Sequence, residues 1–258
     1  MDHKSNKEIL FSFIIPTYNS EEFIEESLLS IINQKDPDIE IIIIDGGSKD
    51  RTLEIISKYE KYITNLVSEP DKGLYYAINK GIKLSTGKIV KILSSDDLLT
   101  SSTMSTVKEI YEKELFDKSH FCILSSLYRI NLGGEIIKLW KKTNNIGFFE
   151  NYLHPTWYVS REVYLDLGLY DTQYKIASDY DYYMRLLQNN VEIIECPLPL
   201  AMHREGGISE NYTGAVEVYN IKYKYKGRVE ANLLLCQNYI FKQLIKVKKT
   251  LKLVFNAA

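Results

Sequence analysis

Two adjacent carboxylates at the end of an apolar run are the residues of this 258-residue sequence best placed to do chemistry. The stretch reads GKIVKILSSDDLL from Gly87 to Leu99: Ile89, Val90, Ile92 and Leu93 form the run, and Ser94, Ser95, Asp96 and Asp97 stop it. An apolar, β-branched segment halted by small polar residues predicts a buried strand. Neighbouring carboxylates repel each other unless a cation or hydrogen-bond donors neutralise them, and in open α/β sheets the carboxyl edge of the strands is where ligands bind. A hard divalent ion, Mn²⁺ or Mg²⁺, suits carboxylate oxygens, and a diphosphate completes such a shell. The plainer alternative is that Asp96 or Asp97 caps the next helix. The stretch alone leaves both open.

Other elements must hold this pair in place. Phe11 to Ile15 predicts a first strand, closed by Pro16, Thr17, Tyr18 and Asn19, with Ser20 as N-cap of a helix reaching Gln34. Strands over Ile39 to Ile44, Ile63 to Ser68 and Lys88 to Leu93 alternate with helices over Asp50 to Tyr59 and Leu74 to Leu84. Strands that are apolar almost throughout are buried on both faces, which predicts a parallel sheet in a doubly wound α/β unit. Every strand end carries polar or acidic residues: Thr17 to Asn19, Asp45, Asp71, then Asp96 and Asp97. Ends aligned in that way form a cleft.

After Leu99 the pattern loosens. It predicts a helix over Ser101 to Phe116, a strand over Phe121 to Arg129 and a Gly133-Gly134 turn into Ile136 to Trp140. Helices follow over Arg161 to Leu167 and Asp179 to Gln188, then a last strand over Val191 to Cys196 that Pro197 and Pro199 end. The expected division is a domain over 1–220 and a basic tail over 221–258. In the tail Ile240, Leu244, Val247 and Leu251 follow helical spacing, with Lys242, Lys246, Lys249 and Lys252 between them. Such a helix lies in an anionic membrane interface or packs on its own domain with a solvated lysine face.

Composition narrows the classes. Hydrophobic residues at 45% and charged residues at 26% can build a real core. A net charge of −2 excludes the global basic field of a nucleic-acid binder. Cys122, Cys196 and Cys236 are widely spaced, with no CxxC pair, which argues for a reducing compartment and against a zinc site or disulfide framework. The apolar run before Pro16 is a strand rather than a signal peptide, and none approaches the ~18 apolar residues of a membrane span. The expected location is cytoplasmic, peripheral on the inner face of the membrane. Twenty tyrosines offer flat faces with polar tips, useful against sugars and equally useful as core.

Four stretches in order carry a family likeness: FIIPTYNSEEFIEESLLSIINQ, IEIIIIDGGSKDRTLEII, SEPDKGLYYAINKGIKLSTGKIVKILSSDD and ASDYDYYMRLL. Over roughly Phe11 to Ser209 the chain resembles the family 2 glycosyltransferases with the GT-A fold, especially those that build bacterial surface polysaccharide. The resemblance implies a mostly parallel Rossmann-like sheet flanked by helices, with a helical tail. It implies inverting transfer of a hexosyl or N-acetylhexosaminyl group from a nucleotide-sugar donor, UDP-sugar favoured, to a glycan or lipid-linked acceptor. Pro16, Thr17, Tyr18 and Asp45 would line the nucleoside pocket, and Asp71, Lys72 and Gly73 would close over the base. Asn79 and Lys80 would face the diphosphate or donor sugar, Asp96 the ribose and Asp97 the metal.

The likeness places the catalytic base at Asp179. Asp181 lies about 200° away around a helix and is better suited to pair with Arg185 at i+4. His203 stands where a metal or diphosphate ligand occurs, and Arg204 could pair a phosphate oxygen. His154 and Trp157 fall in the stretch lining the sugar and acceptor, where Trp157 stacks on a sugar ring or is core. The sequence departs from the pattern at Gly46 and Ser178, where many members carry acidic residues. Alternatives of another kind are a sugar nucleotidyltransferase, which lacks its glycine-rich basic loop here, and an inactive membrane-associated scaffold.

Overall fold

The computed structural model describes residues 9–141, 154–206 and 212–227. The first half alternates β1 (Phe11–Thr17), α1 (Ile24–Ile32), β2 (Ile39–Asp45), α2 (Thr52–Ser57), β3 (Asn65–Ser68), α3 (Leu74–Leu84) and β4 (Ile89–Ile92). The second half comprises β5 (Leu98–Leu99), α4 (Thr103–Ile110), β6 (Phe121–Ile130), β7 (Ile136–Trp140), β8 (Trp157–Ser160), α5 (Arg161–Leu167), α6 (Ser178–Gln188), β9 (Glu192–Arg204) and α7 (Tyr212–Lys226). All strands join one sheet in the order β3-β2-β1-β4-β8-β6-β9-β5, with β7 beside β6. β3, β2, β1 and β4 are mutually parallel. Beyond them the sheet is mixed, with β8 antiparallel to β4 and β6, and β6 parallel to β9.

Alternation along the strands feeds two cores. Ile14, Ile42, Ile44, Val90 and Ile92 face α3 and α6, packing with Ile78, Ile82, Tyr182 and Met184. Phe11, Phe13, Ile15, Ile41, Ile43 and Ile89 face the other way, against Ile24, Leu28, Ile55, Ile56 and Val107. Both faces are covered, so the strands read as unbroken apolar runs.

At the amino-terminal edge of the sheet, a buried carboxylate does the joining. Glu40 accepts hydrogen bonds from the Ser12 hydroxyl and from the backbone N–H of Thr86 and Gly87. It ties β1 and β2 to the turn entering β4. The chemistry-bearing loops lie at the opposite edge.

Two sequence expectations are corrected. The last strand does not stop at Cys196, because register shifts around Ser126 pair Ser125 with Cys196 and then Ser126 with Pro199. Pro197 falls in the bulge, with no register partner on β6, and Pro199 lies before β5 joins β9 at Ala201 and Met202. The missing proline N–H groups therefore leave no ladder bond broken. Second, Ser20 does not cap α1 with its side chain; its hydroxyl bonds that of Ser95 at 2.8 Å, and the helix begins at Ile24. Two short strands, β5 and β8, carried no sequence signal of their own. The expected division after residue 220 falls inside α7, whose Ile221 is fully buried. The segment 240–251 lies outside the described residues.

Gly87 shows how tight the amino-terminal edge is. A Cβ there would stand 2.7 Å from Ser12 Oγ and 2.8 Å from the Phe11 carbonyl carbon. Backbone cannot yield as a flexible side chain can. Gly87→Ala is expected to destabilise the fold by about 1–3 kcal/mol, read as a lower urea midpoint with unchanged slope.

Candidate active site at the carboxyl edge of the sheet

Parallel register sets Thr17, Asp45 and Ser68 side by side, so the loops leaving β1, β2 and β3 start together. Asn19 N–H donates to Ser48 Oγ at 2.8 Å, and Lys49 N–H donates to Asn19 Oδ1 at 2.9 Å. The Ser20–Ser95 contact ties the β1 loop to the loop after β4. Pro16 and Thr17 are buried beneath this edge, and Thr17 Oγ1 has no protein partner. Tyr18 is 61% exposed, with its inner edge near Gly46, where a Cβ would stand 3.4 Å from the ring. One ring face is open to solvent.

The Asp45 carboxylate is turned inward, contrary to expectation. It is fully buried and accepts from Gly47 N–H, Ser48 N–H, the Ser48 hydroxyl and the Ser68 hydroxyl. Those bonds occupy its lone pairs, so Asp45 shapes the loop and does not meet a base. Asp71 differs. One oxygen pairs with Lys80 Nζ at 2.5 Å, while Oδ2 is buried with no protein partner. Lys80 also pairs with Glu69 at 2.6 Å, and Lys72 and Gly73 are exposed where α3 begins. Asn79 is a second correction: its side-chain amide clamps both the N–H and the C=O of Tyr170, at 3.0 and 2.9 Å. It pins the loop before α6 through its oxygen and one of its two amide N–H groups.

The pair after β4 is split in role. Asp97 is 1% exposed, and its Oδ1 receives His203 Nδ1 at 3.0 Å and Arg204 N–H at 3.2 Å. β5 makes this possible, because Leu98 pairs with Met202 directly beyond the aspartate. Burial lowers the His203 pKa, but the Asp97 bond and the charges of Asp97 and Asp96 outweigh it and raise it overall. Asp96 is half-buried, and burial together with the Asp97 charge pushes its carboxyl up. Arg204, expected to reach a phosphate, is 1% exposed and turned inward. Its guanidinium donates to the carbonyls of Asp96, Asn131 and Leu132 and to Glu26, and lies 4.4 Å over the Phe23 ring.

The donor set fits a hard cation. Asp97 Oδ1 and His203 Nδ1 are donor types that Mg²⁺ or Mn²⁺ accepts, and they stand 3.0 Å apart, hydrogen-bonded to each other. Among the described residues no group of three or more His, Cys, Asp or Glu residues stands so as to hold a metal ion. Water and diphosphate oxygens would complete the shell, as Mg²⁺ and Mn²⁺ prefer.

Asp179 sits in the first turn of α6, with its Oδ1 accepting from Tyr180 N–H at 2.8 Å and the Tyr75 hydroxyl at 3.3 Å. Among the described residues nothing donates to its Oδ2. Tyr75 lies at the start of α3, two residues after Gly73, so Asp179 borders the same edge as Asp71. Burial pushes its pKa up to about 6, against the pull of the Tyr180 and Tyr75 bonds. Asp181 is structural: it is 1% exposed and holds Arg185, Lys224 and Tyr225. His154 and Trp157 are corrected too. Trp157 is 2% exposed, wedged between His154 and Tyr183. His154 contacts the Tyr170 hydroxyl at 2.8 Å, and burial with the nearby Lys91 lowers its pKa to about 3.

The family model for glycosyl transferase family 2 matches residues 12–152. The chain belongs to that family. A PGL/p-HBAD biosynthesis glycosyltransferase of Mycobacterium bovis is 29% identical over 187 residues, 70% of each chain. An uncharacterized glycosyltransferase of Bacillus subtilis, EpsJ, is 36% identical over 42% of this chain and 32% of its own. Among solved structures, S. aureus TarS 1-349 in complex with UDP-GlcNAc superposes with TM-score 0.69 at 21% identity, covering 86% of this chain and 66% of that one. The mannosyltransferase PcManGT of Pyrobaculum calidifontis, with GDP-Man and Mn²⁺, gives 0.62 at 18% identity, covering 85% and 64%. The protein is a glycosyltransferase, and its mixed α/β sheet is the GT-A fold.

Two groups in this glycosyltransferase escaped the sequence. Lys91 is fully buried in β4, donates to the Pro155 carbonyl and lies 4.8 Å from the Tyr158 ring. Burial lowers its pKa to about 7, opposed by the Asp97 charge. A lysine inside Ile89-Val90-Lys91-Ile92 was the available signal. Glu217 on α7, bonded to the backbone before Asp179, had none.

The raised Asp179 pKa has a stability consequence. Below about pH 3.8 folded and unfolded chains both hold the proton, so the contribution is fully present there and is lost as pH rises through about 6. Above that, the fold carries a charge that burial penalises. Asp179→Asn is therefore expected to melt higher than wild type at pH 8, the gain vanishing toward pH 4 in thermal scans.

Proposed function

We propose that this glycosyltransferase transfers a hexosyl or N-acetylhexosaminyl group, with inversion, from a UDP-sugar to a glycan or lipid-linked acceptor in surface-polysaccharide synthesis. The observation that carries the reading is Asp179: a carboxylate whose Oδ2 has no donor among the described residues, with its pKa pushed by burial up to about 6, bordering the strand-end loops. A general base works best with its pKa near the operating pH. Asp179 Oδ2 takes the acceptor hydroxyl's proton as that oxygen bonds to the anomeric carbon. The bond to the diphosphate breaks in the same displacement, and its electron pair leaves with the nucleoside diphosphate. No nucleophile for a covalent intermediate is evident, so the product is inverted.

The donor is held by the rest of the edge. The open face of Tyr18 stacks on the base, and Asp71 Oδ2 accepts an N–H from it. Lys80 and Lys72 offer charge to the diphosphate, and Asp96 accepts from the ribose. Asp97 and His203 would hold Mn²⁺ or Mg²⁺, which neutralises charge on the leaving diphosphate. The solved relatives carry UDP-GlcNAc and GDP-Man, which supports a nucleoside-diphosphate donor and leaves the base to the Tyr18–Asp71 pocket. Family membership removes the nucleotidyltransferase alternative. No helix among the described residues is long and apolar enough to cross a membrane. The lysine-rich segment after residue 240 is proposed to bring the enzyme to an anionic surface that presents the acceptor.

Thermal stabilisation by UDP-, GDP- and dTDP-sugars with Mn²⁺ identifies the donor, UDP-sugars being expected to give the largest shift. Asp97→Ala is expected to weaken UDP binding in Mn²⁺ while changing it little in EDTA. NMR coupling constants of the product should report the anomeric configuration opposite to the donor's; retention overturns the single displacement.

A further inference from the structure

We propose that Glu217, on α7, is the positioning residue for the Asp179 base. The proposal rests on Asp179 acting as base. Glu217 Oε1 accepts Lys175 N–H, and Oε2 accepts both Ile176 N–H and Ala177 N–H, each at 2.9 Å. These amides immediately precede α6 and have no helical partner of their own. One carboxylate therefore organises the whole approach to the base.

The tie continues to Asp179 through a single side chain. The Ile176 carbonyl accepts the Tyr75 hydroxyl at 2.7 Å, and that hydroxyl also stands 3.3 Å from both the N–H and Oδ1 of Asp179. The Ile176 peptide is thus gripped on its N–H by α7 and on its C=O by α3. A second grip lies further along α6, where Asp181 receives Lys224 Nζ and the Tyr225 hydroxyl, each at 3.0 Å. Glu217, Ile221 and Lys224 share one face of α7 at i, i+4 and i+7, and Ile221 between the two grips is fully buried. Thus α7 locks α6 against rotation and sliding, and the Asp179 oxygen stays aimed at the strand edge.

Glu217 also acts through its charge. The groups facing Asp179 are Tyr75 from α3, Tyr170 from the preceding loop and Glu217 from α7, with Lys224 of α7 paired to Asp181 on its own helix. Of these, Glu217 raises the Asp179 pKa by like-charge repulsion. Removing that charge while keeping the side-chain volume lowers it.

The test uses the full chain with Glu217→Gln, Glu217→Ala and Asp179→Asn. Readouts are ¹³C NMR titration of the Asp179 carboxyl, UDP affinity by calorimetry, and UDP release from UDP-N-acetylglucosamine and UDP-glucose against pH. In Glu217→Gln the Asp179 midpoint and the acid limb of kcat should both move to lower pH, with UDP affinity unchanged. Glu217→Ala should lose about 10²-fold in kcat, the loss expected when a catalytic group is misplaced by about 1 Å. If Glu217→Ala does not fold, the Glu217→Gln midpoint and acid limb decide. An unmoved midpoint, with any activity loss matched by loss of folded protein, overturns the proposal while Asp179 stands if Asp179→Asn is inactive. Wild-type UDP release by Asp179→Asn overturns the base reading, and this proposal with it.

Discussion

A guanidinium removed almost entirely from water has to find acceptors on every side, and Arg204 organises the Asp96–Asp97 half of the site by doing so. Its partners come from α1, the loop after β4 and the turn between β6 and β7, and its own backbone N–H reaches Asp97. Removing an acceptor leaves part of a buried charge uncompensated. These elements are therefore bound to keep their places together. The arginine's neighbour His203 inherits that geometry, and its 3.0 Å contact with Asp97 follows from where Arg204 is held.

The other half of the site depends on aromatic packing. Tyr75, Tyr170, Tyr182 and Tyr164 stack in succession, with ring centroids 5.6, 4.6 and 5.0 Å apart. This column joins α3 to α6 behind Asp179, and its Tyr75 end bonds that carboxylate. The tyrosines crowding the second half of the sequence are thus largely core rather than sugar platforms. Their rigidity serves the same purpose as the arginine's bonds: an active group must be held by neighbours that cannot themselves move.

Relatives sharing this fold carry different donors, UDP-GlcNAc in TarS and GDP-Man in PcManGT. A fold that accepts both leaves donor choice to loop side chains. In this chain Gly46 lies beside Tyr18, Asp45 is consumed by its own turn, and Asp71 Oδ2 has no partner among the described residues. Tyr18 supplies an open ring face and Asp71 a lone acceptor. Both come from loops whose starting points the parallel register aligns.

Much of the first half was legible from residue order, because apolar runs such as Ile41-Ile42-Ile43-Ile44 have few other uses than a doubly covered strand. The α3 boundaries, Leu74 to Leu84, and the pairing of Asp181 with Arg185 were legible for the same reason, since both are short-range consequences of helical period. Candidate chemistry at Asp97, His203 and Asp179 was visible as residue types at expected places. Which polar groups face a ligand was not. Asp45, Asn79, Arg204 and Trp157 looked equally available in the sequence, and each is spent on a partner 3 to 178 positions away. Strand β9 passes its prolines at a bulge that β5 has not yet joined, and Glu217 reaches the backbone before Asp179 only because α7 folds back onto α6. Local preference is written in neighbouring residues; the satisfaction of a buried polar group is decided by whatever the fold brings beside it.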